Sequence, residues 1–349
     1  MPAYAAGLVL VVAAASACGS SSSASGAAAS GSPSSSTLTP ATITLGLPTN
    51  VTSFANSDVA VAQAEGYFAK EGLTVHVERL SSGVPVAQGV VGGSLDIGAS
   101  SIEPVVNAAA HGAPVQVIGS YTNKLTVDLV TDSSITTPAQ LRGKRLGIQQ
   151  VNAFREVMTR MVIEGAGMTT SDVTYVPGSA SGYISALEQG TIQSGVLQEE
   201  QVLKILNGDS KLHVLVNYSQ ADPNYFYGAY EATKSWLAGH TDIAERFLTA
   251  ITEAHRFMYT HKAAVVPIVA KNEGYSASVI SKAYDVLLTQ EHVFPVNSGL
   301  DAATITDTIA TMKKYKILTG GTAPTESSLV DTGPIDAVLA KLGTQASSS

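Results

Sequence analysis

Ile43-Thr44-Leu45-Gly46-Leu47-Pro48-Thr49-Asn50 is the stretch from which the fold is read. The short apolar run is a strand, and Pro48-Thr49-Asn50 ends it with residues that break pairing and favour a turn. From Ser57 to Lys70, Val61, Ala64 and Phe68 recur at helical spacing, and Gly72 supplies the stop. Leu73 to Leu80 is the next strand. Strand, helix and strand in this order predict a sheet covered on both faces by its own crossover helices.

The same alternation extends outward. Val84 to Val91 reads as a helix, Leu95 to Ala99 as a strand, Ile102 to Ala110 as a helix and Val115 to Gly119 as a strand. The expectation is a run of parallel strands with short crossovers. A second cycle restarts after Thr126-Val127-Asp128-Leu129-Val130. Its strands are Arg145 to Gln149, Val173 to Val176, Ser194 to Leu197 and His213 to Val216, with helices Asn152 to Ala166 and Tyr183 to Gln189. Two α/β lobes of similar construction explain this better than one continuous sheet. From about Ala232 the chain is mostly helical, and these helices are expected to wrap back on the first lobe.

The N-terminus has a different composition. Ala5 to Ala17 is an unbroken run of Ala, Gly, Leu and Val with one Ser, too short to span a bilayer but suited to a signal-peptide core. Ala15-Ser16-Ala17-Cys18 sets small residues before the chain's only cysteine, an arrangement that resembles a bacterial lipobox. On that reading residues 1–17 are a signal peptide and Cys18 is lipidated. The Ser/Ala/Gly tract to residue 41 is then a flexible tether that holds the protein on the outer side of the cell membrane. Two features depart from the usual lipobox: Ala15 stands where Leu is favoured, and no Lys or Arg precedes the apolar run. The alternative is an ordinary cleavage site with Cys18 a free thiol. One cysteine cannot make a disulfide within the chain, so the fold rests on its core, for which the 45% of apolar residues suffice. With 20 Lys+Arg against 28 Asp+Glu, a net charge of −8 and no basic block, nucleic acid is not an expected partner.

Four segments carry a resemblance to a known group. They are Ala64-Glu65-Gly66-Tyr67-Phe68-Ala69-Lys70-Glu71-Gly72-Leu73, Gly93-Ser94-Leu95-Asp96-Ile97-Gly98, Pro138 to Ile148, and Gly165-Ala166-Gly167-Met168 to Asp172-Val173. In motif and spacing the chain resembles, from about Thr42 to Leu318, the NitT/TauT and THI5-like solute-binding proteins of ABC importers. Ile192-Gln193-Ser194 and Glu199-Glu200 depart from the group's second-lobe pattern, which bears on the ligand more than on the fold. The resemblance implies a type II periplasmic-binding-protein fold, two α/β lobes with a ligand cleft between them that closes about a hinge. Lobe I would comprise residues 42–124 plus 231–349 and lobe II residues 125–230, with crossings near Asn123 to Leu129 and Asn217 to Tyr230. It further implies a monomer working with importer permease subunits.

In such sheets ligands sit beyond the carboxyl ends of the strands, where helix N-termini present free N–H groups. This selects Thr49 and Asn50 after the first strand, Ser81 and Ser82 after the second, Ser100 and Ser101 after the third, and Gln149 and Asn152 where the second lobe's long helix opens. Each could equally be an ordinary helix cap. Arg155, one turn further on, could pair with an anion, or be a solvated surface arginine. Glu199 could accept from an amino-bearing ligand, or merely complement a helix dipole. Phe54, Tyr121, Tyr225, Phe226 and Tyr227 are candidates for stacking on a ring, against a simple packing role. Asp96 reads as structural.

No catalytic constellation emerges. Gly178-Ser179-Ala180-Ser181-Gly182 lacks the central Ser of a nucleophile elbow, the seven His form no metal-binding spacing, and no dinucleotide loop is present. Fungal pyrimidine synthases of the resembled group use a lysine-bound cofactor and a cysteine-rich segment, and this chain has no such segment. The expectation is a binding protein without cofactor or metal. Its ligand would be a small organic or oxyanionic solute such as a sulfonate, nitrate or taurine. A nitrogen heterocycle such as a thiamine-pyrimidine precursor is the alternative, as is an exported enzyme or sensor on the same scaffold.

Overall fold

The computed structural model describes residues 38–48, 53–206 and 211–346. The signal-peptide and lipidation expectations, Cys18 included, fall outside this range, as do Thr49 and Asn50. Among the described residues no helix is long and apolar enough to cross a membrane.

Among the described residues, ten strands form two five-stranded sheets. The first holds β1 (Ala41–Leu47), β2 (Leu73–Arg79), β3 (Ile97–Ser101), β4 (Val115–Thr122) and β10 (Gly228–Thr233), in the order β2-β1-β3-β10-β4. The second holds β5 (Val127–Asp132), β6 (Arg145–Ile148), β7 (Thr174–Pro177), β8 (Ser194–Gln198) and β9 (Leu212–Asn217), in the order β7-β6-β8-β5-β9.

β1 to β4 all run in one direction, as expected of that stretch, and each sheet is made mixed by one reversed strand. β1 runs parallel to β2 and β3, but β10 is antiparallel to β3 and β4; β6 is parallel to β7 and β8, but β5 is antiparallel to β8 and β9. Both reversed strands are those by which the chain enters one sheet from the other: β4 passes to β5 over residues 123–126, and β9 to β10 over residues 218–227.

Local chemistry explains the remaining adjustments. The helix expected over Ser57 to Lys70 is two pieces, Ser57–Ala64 and Tyr67–Lys70, because Gly66 between them is left-handed at φ 75°. Asp96 is structural as expected: it accepts Thr44 N at 2.8 Å and Trp236 Nε1 at 2.9 Å, tying β1 to the helix Lys234–Thr260. That helix lies against the first sheet together with Gly333–Leu342. A buried network anchors it, with Asp58 Oδ2 accepting Tyr230 OH at 2.6 Å and meeting His255 Nε2 at 3.0 Å. One apolar core runs continuously under both sheets, and a smaller cluster around Val130, Leu187, Leu197 and Ile205 serves the second alone.

Candidate ligand cleft

The carboxyl ends of five strands from both sheets converge on a single small cavity. Pro48 follows β1, Ser101 ends β3, Tyr121 is the penultimate residue of β4, Gln149 follows β6 and Gln198 ends β8. Ser53, Asn56, Gly83, Phe154, Arg155 and Tyr227 complete the wall. Three helices start at this point, Gly83–Val91, Ile102–Ala110 and Phe154–Gly165. Their unpaired first-turn N–H groups give the cavity a positive bias.

Several polar atoms face the cavity without a well-formed hydrogen bond. Among the described residues, Asn56 Nδ2, Ser101 Oγ and Tyr121 OH are buried and lack a hydrogen-bond partner. Ser101 Oγ lies near the Glu103 carboxyl and Tyr121 OH near the Tyr227 hydroxyl, yet neither contact closes with ordinary length and angle. Ser101 is the N-cap residue of Ile102–Ala110 but makes no side-chain capping bond, so capping does not account for its hydroxyl. Buried polar atoms left in this state carry a desolvation cost of about 1–3 kcal/mol each, which a ligand can relieve.

The charge in the wall is Arg155, 2% exposed, which excludes the solvated surface arginine. Its guanidinium donates to Val196 O and, at 3.2 Å, to Gln201 Oε1. Phe154 stacks on Tyr227 at 4.4 Å between centroids and Tyr121 meets Tyr227 edge-on at 5.8 Å. Gln198 Nε2 donates to the Tyr227 hydroxyl at 3.1 Å. Burial pushes the Tyr227 hydroxyl up to about 12, so it is neutral and able to donate.

The cavity is small, about 20 Å³, room for roughly one water molecule. It is roofed by two bonds that pass from one lobe to the other. Ser82 Oγ donates to Gln150 Oε1 at 2.9 Å, and Gln149 Nε2 donates to Ser81 O at 3.4 Å.

Of the residues selected from the sequence, Ser101, Tyr121, Gln149, Arg155 and Tyr227 line the cavity, and Ser81 and Ser82 form its roof. Others stand elsewhere. Phe54 is fully buried and packs on Phe294 at 6.3 Å, in the core. Tyr225 donates to Glu103 at 2.6 Å and Phe226 is enclosed, both as packing. Ser100 is turned away, donating to Glu231 Oε1 at 2.8 Å inside the first sheet. Asn152 is not the helix cap, a position taken by Ala153; it is left-handed at φ 63° and its side chain accepts from Arg160 at 2.9 Å. Asn56, Gln198 and Phe154 also line the cavity without being singled out by the sequence, although Gln198 and Phe154 occupy strand-end and helix-start positions.

Glu199 belongs to a second feature, a row of acids along the seam between the lobes. Asp128, Glu199 and Glu200 come from the second sheet and its helix Glu199–Leu206. Glu273 and Glu291 come from the C-terminal segment, whose helix Ala277–Tyr284 packs on Glu199–Leu206. Among the described residues, both oxygens of Glu200 and of Glu273, and Asp128 Oδ1, are buried without a well-formed hydrogen bond. Burial first, and mutual repulsion second, push Asp128 and Glu199 each up to about 7; burial alone raises Glu200 to about 7, against the pull of Arg155. Glu273 and Glu291 are raised by burial also, with Lys124 opposing the rise at Glu291.

Two α/β sheets, two crossings and a cavity at the strand ends between them define a periplasmic-binding-protein fold. Solved structures share it. The alkanesulfonate-binding protein SsuA from Xanthomonas axonopodis pv. citri, bound to MOPS, superposes with a TM-score of 0.70 at 17% identity, over 84% of this chain and 99% of its own. The nitrate-binding protein NrtA from Synechocystis PCC 6803 gives 0.71 at 13% identity, over 87% and 89%. The family model described as NMT1/THI5 like matches residues 54–264, and the chain belongs to that family. A 4-amino-5-hydroxymethyl-2-methylpyrimidine phosphate synthase from Uromyces fabae is 25% identical over 207 residues, 55% of this chain and 60% of the relative. The chain thus spans about three fifths of that curated relative.

Proposed function

We propose that the protein captures a small solute in the cleft that this cavity marks, which widens as the roof bonds part, outside the cell membrane, and delivers it to the permease subunits of an ABC importer without transforming it. The observation that carries this reading is the set of buried, unpaired groups (Asn56 Nδ2, Ser101 Oγ and Tyr121 OH) presented with Arg155 and three helix N-termini to one cavity between two lobes. Such a site favours an acceptor-rich solute, a sulfonate or other oxyanion ahead of a cation. Contacts drawn from both lobes would favour the closed form, and closure is what an importer can read. The lobes would be residues 42–124 plus 231–349 and residues 125–230, and the working form a monomer.

A thermal-shift screen against sulfonates, nitrate, taurine, thiamine-pyrimidine precursors and aromatic acids tests this. A ligand at one hundred times its dissociation constant should add about 2.7 kcal/mol of stability. Recovery of the compound unchanged after incubation supports binding, whereas its conversion would establish an enzyme. The enzyme reading draws on the pyrimidine-synthase relative. The lining residues do not fit a lysine-bound cofactor, since no lysine is among them.

Anchoring through Cys18 has its own test. Cys18→Ser should move the protein from the membrane fraction into the medium, because stable attachment depends on the acyl chains. Unchanged retention in the membrane would refute the anchor.

A further inference from the structure

The row of acids lies where the two lobes can move against each other. The segment Glu291 to Val293 is hydrogen-bonded to both crossings. In the first, Asn123 N donates to Val293 O at 3.2 Å and Lys124 Nζ to Glu291 O at 2.7 Å; in the second, Ser219 Oγ donates to Glu291 Oε1 at 2.7 Å. Asp128 stands beside this point, paired in register with Asn217, which directly precedes the second crossing. Further along the seam, Glu199–Leu206 packs on β5, β8 and β9 and so belongs to the second lobe, whereas Lys262–Glu273 packs on Ser57–Ala64 and Lys234–Thr260 of the first. Ala277–Tyr284, joined to Lys262–Glu273, is what Glu199–Leu206 rests on. Any rotation about the crossings therefore changes that contact.

Acid meets acid there. Glu200 and Glu273 are 0% and 6% exposed, neither has a well-formed hydrogen bond among the described residues, and a charge on Glu200 makes ionisation of Glu273 costlier. Arg155 and the Phe54 N–H lie on the Glu200 side. Tyr275, with Lys204 Nζ 5.5 Å from its ring centroid, borders both acids. Nearer the crossings Asp128, Glu199 and Glu291 face one another, with Asn217, Tyr218, Ser219 and Lys124 around them. Arg155 and Lys124 offset part of the repulsion, and water would offset more. Parting the lobes admits water; holding them together keeps it out.

We infer that this seam is a proton-operated latch: the lobes stay together while its facing carboxyls are protonated, and part as those carboxyls ionise on rising pH. An acid that ionises less readily when enclosed than when hydrated gives the closed form the greater hold on protons, so closure is favoured on the acid side and lost on the alkaline side. The inference concerns the motion itself. Its bearing on solute, which would be released as pH rises, rests on the reading of the cleft as the solute site.

Nitroxide labels on Val91→Cys and Val151→Cys test it in the solute-free, full-length protein carrying Cys18→Ser, with EDTA present. Both residues are exposed and border one groove, Val91 from the first lobe and Val151 from the second, so their separation by double electron resonance reports opening. One carboxyl that titrates near 7 when enclosed and near 4.5 when hydrated changes the closed-to-open ratio by about 70-fold between pH 5 and pH 8. The short-distance population should accordingly fall by at least about tenfold relative to the long over that interval. Glu200→Gln and, separately, Glu273→Gln should each preserve the short distance at pH 8. A separation that is constant with pH or grows on acidification overturns the inference, as does a pH response left unchanged in both glutamine variants. None of these outcomes bears on the solute-site reading, which stands or falls by the ligand screen.

Discussion

Arg160→Ala should destabilise the protein by about 3–5 kcal/mol, because it strands a charge that is fully enclosed. Glu156 is buried completely, and Arg160 grips it through Nε at 2.9 Å and Nη2 at 2.6 Å. The same guanidinium donates to Asn152 Oδ1 and, through Nη1, to Lys316 O, both at 2.9 Å. Glu156 in turn accepts Asn152 N at 3.0 Å, which holds that residue in its left-handed conformation. The network therefore fixes both the loop that carries Gln149 and Gln150 and the C-terminal segment that runs back to Asn107 on the first lobe. Urea unfolding measures the loss. The paired replacement Glu156→Leu with Arg160→Met should recover most of it, since no charge is then left buried. A cost below about 1 kcal/mol for Arg160→Ala would mean that Glu156 is satisfied by other groups.

Stability should fall as pH rises from about 4.5 to about 7. Asp128, Glu199 and Glu200 ionise near 7 in the folded protein, against about 4 when unfolded. Between those values the folded state holds protons that the unfolded chain has released. Each raised acid is thus neutral and costs nothing below the window, and exerts its full penalty above it. For Glu200, fully buried, a rise from 4.5 to about 7 corresponds to roughly 3 kcal/mol at about 1.4 kcal/mol per pH unit. Asp128 adds a comparable amount, and the partly exposed Glu199 less. Groups facing these acids limit the effect: Arg155 beside Glu200, Lys124 beside Glu291, and Asn217 bonded to Asp128. Unfolding midpoints recorded from pH 5 to pH 8 should decline, and Glu200→Gln should flatten the curve and raise the midpoint at the alkaline end. A profile that is level or climbs over that interval would refute the assignment.

Much of the cleft could be read in the sequence because it follows from strand ends and helix starts, which are local features. Ser101, Gln149 and Arg155 were selected on that ground alone, and all three line the cavity. Ser100 was selected with them, but strand residues alternate between faces, so of two adjacent serines only one can point into the cleft. Which one depends on a neighbour distant in sequence, Glu231, and nothing near Ser100 discloses it.

β10 itself escaped notice for the same reason. Gly228-Ala229-Tyr230-Glu231-Ala232-Thr233 lacks the β-branched run of a central strand and contains a carboxyl, which a sheet interior disfavours. It is accommodated because Gly98 opposite has no side chain, where a Cβ would lie 2.9 Å from Glu231 Cγ, and because Ser100 donates to the carboxylate. Asn56 is likewise not legible locally, since its place in the cavity depends on the docking of a second sheet distant in sequence. The antiparallel insertion of β5 and β10 is a property of the crossings, which periodicity within a strand does not report.

The central claim is that solute is held by the buried groups between the lobes. Calorimetric titration of the first ligand found in the screen, against the natural protein and Asn56→Ala side by side, tests it most directly. Asn56 Nδ2 has no partner among the described residues, so the variant should keep its unliganded stability to within about 1 kcal/mol. Its dissociation constant should rise by about 5-fold to 150-fold, the equivalent of one lost buried hydrogen bond of about 1–3 kcal/mol. A variant of equal stability that binds the ligand with the natural protein's affinity would contradict the account and place the solute elsewhere on the molecule.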